Sequence, residues 1–231
     1  MPIGIIVDCI ATALGGILGG LLSNKISREK KEAFSQLNGF SATFLGIVMI
    51  GRTENLGAVA ISLLVGTIIG TYIDINRWAQ KAVVSSLKNV IAKSGADFDF
   101  DCFSVVLLLC AFGGSGVVGA VMESATGDSS LLICRAILDF FTAVLFGARL
   151  GYVVAFIPIV QGLSELFFFL LAKALASYFT SIVCNDFYAV GGIVSLIGAF
   201  SIFKISNIKP LNAIISLVLI VPMSLLWQNL F

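Results

Sequence analysis

The chain has 231 residues, of which 58% are apolar and 12% are charged, with a mean hydropathy of +1.06. Soluble domains carry about 25% charged residues, so this composition excludes a soluble protein and predicts an integral membrane protein. The net charge of +1 predicts no nucleic-acid partner, and the absence of histidine excludes histidine metal ligands, Ser-His-Asp or Cys-His catalysis and histidine proton relays.

Hydrophobic runs separated by polar breaks predict about eight transmembrane helices, because a hydrocarbon core about 30 Å thick needs about 20 apolar residues per helix. We place the spans at residues 3–22, 34–50, 56–73, 102–122, 129–148, 152–175, 187–203 and 210–230. The second and seventh are short for a full crossing and require membrane thinning or partner helices. The first run lacks the basic region of a cleaved signal peptide, so we interpret it as a span. The predicted fold is an all-α polytopic helix bundle forming one domain over residues 1–231.

Basic residues are unevenly distributed between the two sides of the predicted bundle. If the spans alternate in direction, one side of the membrane holds only Arg52 and Lys173. Arg135 lies inside a span, and all the remaining Lys and Arg residues lie on the other side. Because basic residues are retained on the cytoplasmic side, this bias predicts that both termini lie outside.

The longest predicted loop, residues 74–101, contains a short amphipathic pattern. Ile75, Trp78, Leu87 and Ile91 recur at helical spacing, with basic residues elsewhere around the helix. We predict a helix on the inner leaflet, attracted by anionic lipid, with a regulatory partner site as the alternative.

Glycine is concentrated in the predicted spans, as in "GGILGG" at residues 15–20 and "GGSGVVG" at residues 113–119. Small residues four apart let helices approach closely in lipid, so tight packing is the first interpretation and a moving or pore-lining helix the second. Such packing in a small chain also suggests a homodimer.

A weak internal repeat aligns residues 39–64 with residues 191–216 without a gap. Gly39 and Gly46 then match Gly191 and Gly198. The predicted topology sends the two segments across the membrane in opposite directions, as in the inverted repeats of secondary transporters. The repeat halves would be residues 1–73 and 152–231, joined by the spans in 102–148.

The fifth span carries Arg135 and Asp139, four residues apart on one helical face. After a helix cap at Thr126 or Asp128, they lie roughly 10 and 16 Å into the membrane. Ionisable residues at that depth are costly unless paired or hydrated, so they are functional candidates. One hypothesis is a structural ion pair; the other is that Asp139 takes up a proton or a cation while Arg135 tunes it or holds an anion.

The sixth span adds Gln161 and Glu165, again four residues apart, beside Pro158 and Gly162. Pro and Gly interrupt helical hydrogen bonding, which favours a cation or substrate site made partly of backbone carbonyls; a kinked packing helix is the alternative. Asp8 in the first span and Asn38 in the second complete the candidate site residues.

The motifs of known enzymes are missing or altered in the sequence. "SATGD" lacks the first glycine of the GxGD signature of intramembrane aspartyl proteases, and HExxH, P-loop and GxSxG motifs are absent. The five cysteines are scattered, with no CxxC pair. We expect neither an enzyme nor a cofactor, and the sequence gives no indication of a metal.

The order of features resembles the uncharacterised YdfK/YqgA-like family of bacterial integral membrane proteins over almost the whole chain. The resemblance is carried by "ATALGGILGGLL", "TENL", "GTIIGTYIDI", "LLLCAFGGSGVVGAVMESATGDSSLLICRAILD", "QG" at residues 161–162 and "AVGGIVSLIGAF". The family more often has Lys at the position of Arg135 and Asn at that of Asp8, and its C-terminal Asn/Pro region is altered here at "NIKPLN". The resemblance implies a multi-pass protein of the bacterial cytoplasmic membrane, often described as a transporter, with no established substrate.

The sequence therefore predicts a secondary carrier for a small solute or ion, coupled to protons or sodium. A gated channel lined by the same polar residues is the main alternative. A membrane scaffold or regulatory protein, holding a partner through the amphipathic helix, is the third hypothesis.

Overall fold

The computed structural model describes residues 2–22, 28–82 and 100–230. These residues form α1 (Ile3–Leu21), α2 (Arg28–Ile50), α3 (Leu56–Ile73), α4 (Phe100–Phe112), α5 (Gly114–Thr126), α6 (Ser130–Leu150), α7 (Ile157–Ala174), α8 (Ser181–Ile202) and α9 (Ile215–Leu230). Short 3-10 helices precede α7 (Gly151–Phe156), follow it (Ala176–Tyr178) and precede α9 (Pro210–Ile214).

Six helical stretches in this described part of the chain are long and apolar enough to cross a membrane. One of them, Ser130–Ala174, contains both α6 and α7, and a shorter apolar helix covers Gln36–Ile50 within α2. The prediction of a polytopic helical bundle is confirmed. The apolar part of α2, Gln36–Ile50, agrees with the predicted span 34–50, although the helix itself begins earlier, with the charged residues from Arg28 onward. The helix that contains the predicted span 187–203 begins six residues earlier, at Ser181.

The outer surface of the bundle is apolar. Phe44, Leu64 and Leu163 are 68%, 63% and 66% exposed, a degree of apolar exposure that water does not favour. These side chains face the lipid in a membrane-spanning bundle.

Glycines on α1 allow it to pack closely against α6 and α7. A Cβ at Gly4 would meet Leu132, and one at Gly19 would meet Gly147, so α1 and α6 run in the same direction. The contacts with α7 run in the opposite order. Gly16, late in α1, lies against Ala155, just before α7. Cys9, earlier in α1, lies against Pro158 and Gly162, which come later in the chain. Hence α7 runs antiparallel to both helices, and the close-packing interpretation of the "GGILGG" segment holds.

The predicted span 102–122 corresponds to a stretch that can cross a membrane, Val106–Thr126, but its helix is interrupted at one residue. Gly113 is extended, with φ −63° and ψ 143°, and separates α4 from α5. A Cβ at Gly114 would press on the backbone of Gly191 and on Val194, so the break sits against α8. The glycines here thus interrupt the helix as well as pack it.

The remaining helices also pair in antiparallel fashion. α2 packs on α8, where a Cβ at Gly46 would meet the carbonyl of Gly192. α3 packs on α9 and on the 3-10 turn before it, with Gly66 against Ser216 and Gly70 against Asn212.

Residues 75–82 are helical and follow α3 after Asp74. Ile75 and Ala79 pack against an apolar cluster that includes Phe103 and Leu107 of α4, while Trp78 is 77% exposed. The rest of the predicted amphipathic helix lies outside the described residues.

Candidate functional site

The guanidinium of Arg135 lies inside the bundle against carboxylates from three helices. Its Nε donates a hydrogen bond of 3.0 Å to Asp139 Oδ2, one turn later on α6. The same Nε is 3.6 Å from Asp8 Oδ2 on α1, and Nη1 is 3.8 Å from Glu165 Oε1 on α7. All four side chains are buried, and those of Asp8 and Glu165 are completely enclosed.

Gln161 joins two of these carboxylates. Its Nε2 donates to Asp8 Oδ2 at 2.8 Å and to Asp139 Oδ2 at 3.1 Å, and the residue is fully buried. One amide therefore holds α1 and α6 against α7 at the level of the charges.

The helix break supplies further partners. Arg135 Nη2 donates to the carbonyl oxygen of Cys110, and the Ser164 hydroxyl donates to that of Ala111. Both carbonyls belong to the last turn of α4, where helical carbonyls lack intrahelical partners and carry partial negative charge. The end of α4 thus helps to stabilise the buried guanidinium.

The local sequence explains why these groups meet. Arg135 and Asp139 share a face of α6, as Gln161 and Glu165 share a face of α7, because residues four apart stack on a helix. Close Gly packing brings α1 and Asp8 between them. Gly116 leaves the space that the guanidinium occupies, since a Cβ there would overlap Arg135.

The cluster has more negative than positive groups. Three ionised carboxylates and one guanidinium would leave two surplus negative charges (three minus one) in a buried site. Among the described residues, Asp8 Oδ1, both Glu165 carboxylate oxygens and Gln161 Oε1 have no hydrogen-bond partner, nor does Arg135 Nη1. The carboxyl groups of Asp8 and Glu165 are also neighbours. Such a site can accept protons or a cation.

Five of the six candidate residues predicted from the sequence therefore lie together. Asp8, which the sequence analysis added last together with Asn38, is as central as Asp139. The Arg135–Asp139 ion pair exists, but it is part of a larger cluster. Asn38 on α2 donates to the Thr142 hydroxyl at 2.5 Å, one turn beyond Asp139 on α6.

Two buried acids were missed because each lies near the end of an apolar run. Glu123 Oε1 accepts from the Gly4 N–H at 2.7 Å and from the Ser129 hydroxyl at 2.6 Å, which fixes the start of α1. Asp186 accepts hydrogen bonds from Asn55 and Ser224, described further below. Both acids have hydrogen-bonding roles at helix ends, outside the Arg135 cluster.

The loop between α5 and α6 is built as a turn. Gly127 has a φ of +77°, and Asp128 Oδ1 accepts from the backbone N–H of Ser130 at 2.9 Å. The N-cap residue of α6 is Ser129, so neither Thr126 nor Asp128 occupies the predicted cap position. Hydrogen bonds from the Ser130 hydroxyl and backbone N–H lower the pKa of Asp128 below its usual value. Asp128 therefore stabilises the turn that precedes α6.

The fold and the site together define a multi-pass α-helical membrane protein with a charged cluster inside its bundle. The family model described as protein of unknown function, DUF554, matches residues 3–225, and the chain belongs to this family.

Two curated relatives match over most of their length. The uncharacterized protein YqgA of Escherichia coli is 30% identical over 236 residues and covers 100% of both chains. The uncharacterized membrane protein YdfK of Bacillus subtilis is 27% identical over 222 residues, 94% of this chain and 93% of the relative. No solved structure matches the chain significantly.

Proposed function

We propose that this protein is a secondary transporter in which the Arg135 cluster binds and releases protons as a small solute crosses the membrane. One observation carries the proposal: three buried carboxylates from three helices surround one guanidinium. Leaving two unbalanced charges in a low-dielectric interior costs several kcal/mol or more, so protons or a cation must compensate them. Because the site becomes neutral only when it holds protons or a cation, binding and release of these ions can be coupled to the movement of a solute.

The depth of the cluster supports this role. Asp139 and Glu165 lie near the middle of α6 and α7, and both helices belong to a stretch that can span the membrane. A purely structural ion pair at that depth needs one acid for one base, and this cluster has three acids. The surplus is difficult to explain by stability alone, because replacing buried charges with apolar groups is often neutral or stabilising.

The helix arrangement supports alternating access. α1 with α7, α2 with α8 and α3 with α9 are antiparallel pairs that join the first and last predicted repeat halves. A two-fold axis in the membrane plane would produce such pairs, and transporters with inverted repeats place their sites near the midplane at interrupted helices. The break at Gly113, beside Arg135, matches that pattern.

The distribution of charge favours one orientation in the membrane. Arg77, Lys81, Arg149 and Lys209 lie at one end of the bundle's helices, and Arg52 and Lys173 lie at the other end. The positive-inside rule then directs the first end to the cytoplasm of a bacterial cell, with both termini outside.

Ion flux in proteoliposomes tests the proposal. A trapped pH-sensitive dye would follow proton movement while solutes of different charge are added under imposed proton or sodium gradients. We expect saturable, solute-dependent proton movement in the wild type and none in a folded Asp139→Asn variant. Equal proton movement in both proteins, or sodium dependence without proton movement, would overturn the proposal, and single-channel currents would favour a pore.

A further inference from the structure

A small cavity beside Arg135 is lined by polar side chains. Its volume is about 70 Å³, enough for a few water molecules or a small ion. Asn38, Ser115, Thr142 and Ser195 line it together with Arg135 and Asp139. The hydroxyl and amide groups are neutral, so the charge preference of the cavity depends on its other features.

Two independent features of this cavity favour negative charge. α5 begins at Gly114 on the cavity wall, and the first N–H groups of a helix carry partial positive charge and bind anions. Arg135 lines the same wall, is only 3% exposed, and its Nη1 has no hydrogen-bond acceptor among the described residues. Three negative groups oppose this preference: Asp139 already occupies Nε, Asp8 lies 3.6 Å from Nε, and Glu165 lies 3.8 Å from Nη1. An anion therefore fits beside Arg135 only while Asp8 and Glu165 carry the two protons that compensate the surplus charge of the cluster.

A second cavity leads from the basic end of the bundle toward the first. It has a volume of about 530 Å³, and Leu109, Gly113 and Pro210 line both cavities. Lys209, Arg149 and Asn207 also line the outer one. A cleft with basic residues raises the local concentration of anions. Lys209 remains half exposed although its Nζ lies 3.7 Å from Asp74 Oδ1.

We infer that the transported solute is a small monovalent anion, which reaches Arg135 from the basic end and binds there when Asp139 is protonated. This inference rests on the proposed function and names its substrate class. The proton adds to the Asp139 carboxylate, and the anion takes its place at the guanidinium and the start of α5. The charge of the site is unchanged, because one proton and one anion enter together. Competition between Asp139 and the anion for one guanidinium couples the two movements.

Proton uptake driven by chloride, nitrate or formate tests the inference in proteoliposomes, with empty vesicles correcting for the diffusion of formic acid. Potassium gluconate supplies a cation arm, since its bulky anion is too large for the cavity of about 70 Å³, and glycerol supplies a neutral arm. We expect at least one of the three anions to drive saturable acidification of the vesicle interior. Proton movement driven by the cation or neutral arm alone would overturn the inference and leave the proposed function standing. Solute-driven proton movement in none of the arms would overturn both.

Asp139→Asn gives a second, opposite readout. A neutral amide no longer competes for Arg135, so exchange of labelled anion should persist and lose its pH dependence, while coupled proton uptake disappears.

Ser195→Ala should raise the anion concentration for half-maximal exchange several-fold. Ser62→Ala, a buried serine on α3 outside both cavities, is the matched control and should leave exchange unchanged. Loss of anion exchange in folded Asp139→Asn, or equal effects of the two serine variants, would overturn the inference.

Discussion

Asp186 on α8 anchors the loop between α2 and α3, and its removal should destabilise the protein strongly. Its Oδ1 accepts from the backbone N–H groups of Glu54 and Asn55 at 3.0 and 2.8 Å. Its Oδ2 accepts from the Asn55 side chain at 2.9 Å and from the Ser224 hydroxyl at 2.6 Å, and the residue is fully buried. Asp186→Ala would leave four donors without their charged acceptor.

The expected cost follows from these bonds. Hydrogen bonds to charged groups contribute roughly 1.5–3 kcal/mol each, but the loop donors are only partly buried and can bind water instead. Losing the buried Ser224 contact and part of the three loop contacts gives an expected loss of unfolding free energy of about 3–5 kcal/mol. For a chain of this size, that corresponds to a fall in melting temperature of roughly 6–20 °C.

Thermal unfolding of the purified protein in detergent, followed by tryptophan fluorescence, measures this effect. Asn185→Ala is the matched control, because the neighbouring Asn185 is only partly buried and donates one hydrogen bond of 3.1 Å to Glu54 Oε1. Its expected cost is below about 1 kcal/mol. If the melting temperatures of the two variants fall equally, Asp186 does not anchor the loop in the way described.

Three further predictions concern the site, the α5–α6 turn and the orientation. Gly116→Ala should abolish solute-driven proton movement, because the added Cβ would overlap the buried guanidinium of Arg135. Gly51→Ala is the control and should leave proton movement intact, because the nearest atom to its added Cβ is at an ordinary 3.4 Å. Equal flux in the two variants would contradict this prediction. The lowered pKa of Asp128 means that its stabilising effect is present above pH 3.8 and lost as pH falls through the lower folded-state pKa. The melting temperature of Asp128→Asn should therefore be below that of the wild type at pH 6, and the difference should shrink as the pH falls below 3.8; a constant difference would be inconsistent. In a cysteine-free background, an impermeant thiol reagent added to intact cells should label Thr53→Cys and leave Ser206→Cys unlabelled; the reverse pattern would invert the orientation.

Much of the bundle can be predicted from hydropathy alone, because a helix that crosses the hydrocarbon core needs about 20 apolar residues. The same reasoning finds Arg135, Asp139 and Glu165, since a charge inside an apolar run is costly and therefore conspicuous. Hydropathy reasoning does not find where α2 and α8 begin, because polar or charged residues lie in their first turns. Asp186 lies one residue before the predicted seventh span, and so it was placed in a loop.

The assembly of the site could not be predicted from sequence. Spacing along one helix pairs Arg135 with Asp139, but only the packing of α1 adds Asp8 to the cluster. Glycine is equally consistent with close packing and with a helix break, so "GGSGVVG" did not indicate the interruption at Gly113. The contact between Asn38 and Thr142 likewise depends on how α2 lies against α6.

The most direct test of the account is whether the Arg135 cluster holds protons in the membrane. Infrared spectroscopy of the reconstituted protein distinguishes neutral carboxylic acid groups from ionised carboxylates. We predict a neutral carboxyl band at pH 7 in the wild type that is reduced in Glu165→Gln and in Asp8→Asn. A wild-type spectrum with no neutral carboxyl band, or one unchanged in both variants, would contradict proton binding by the cluster and with it the proposed coupling.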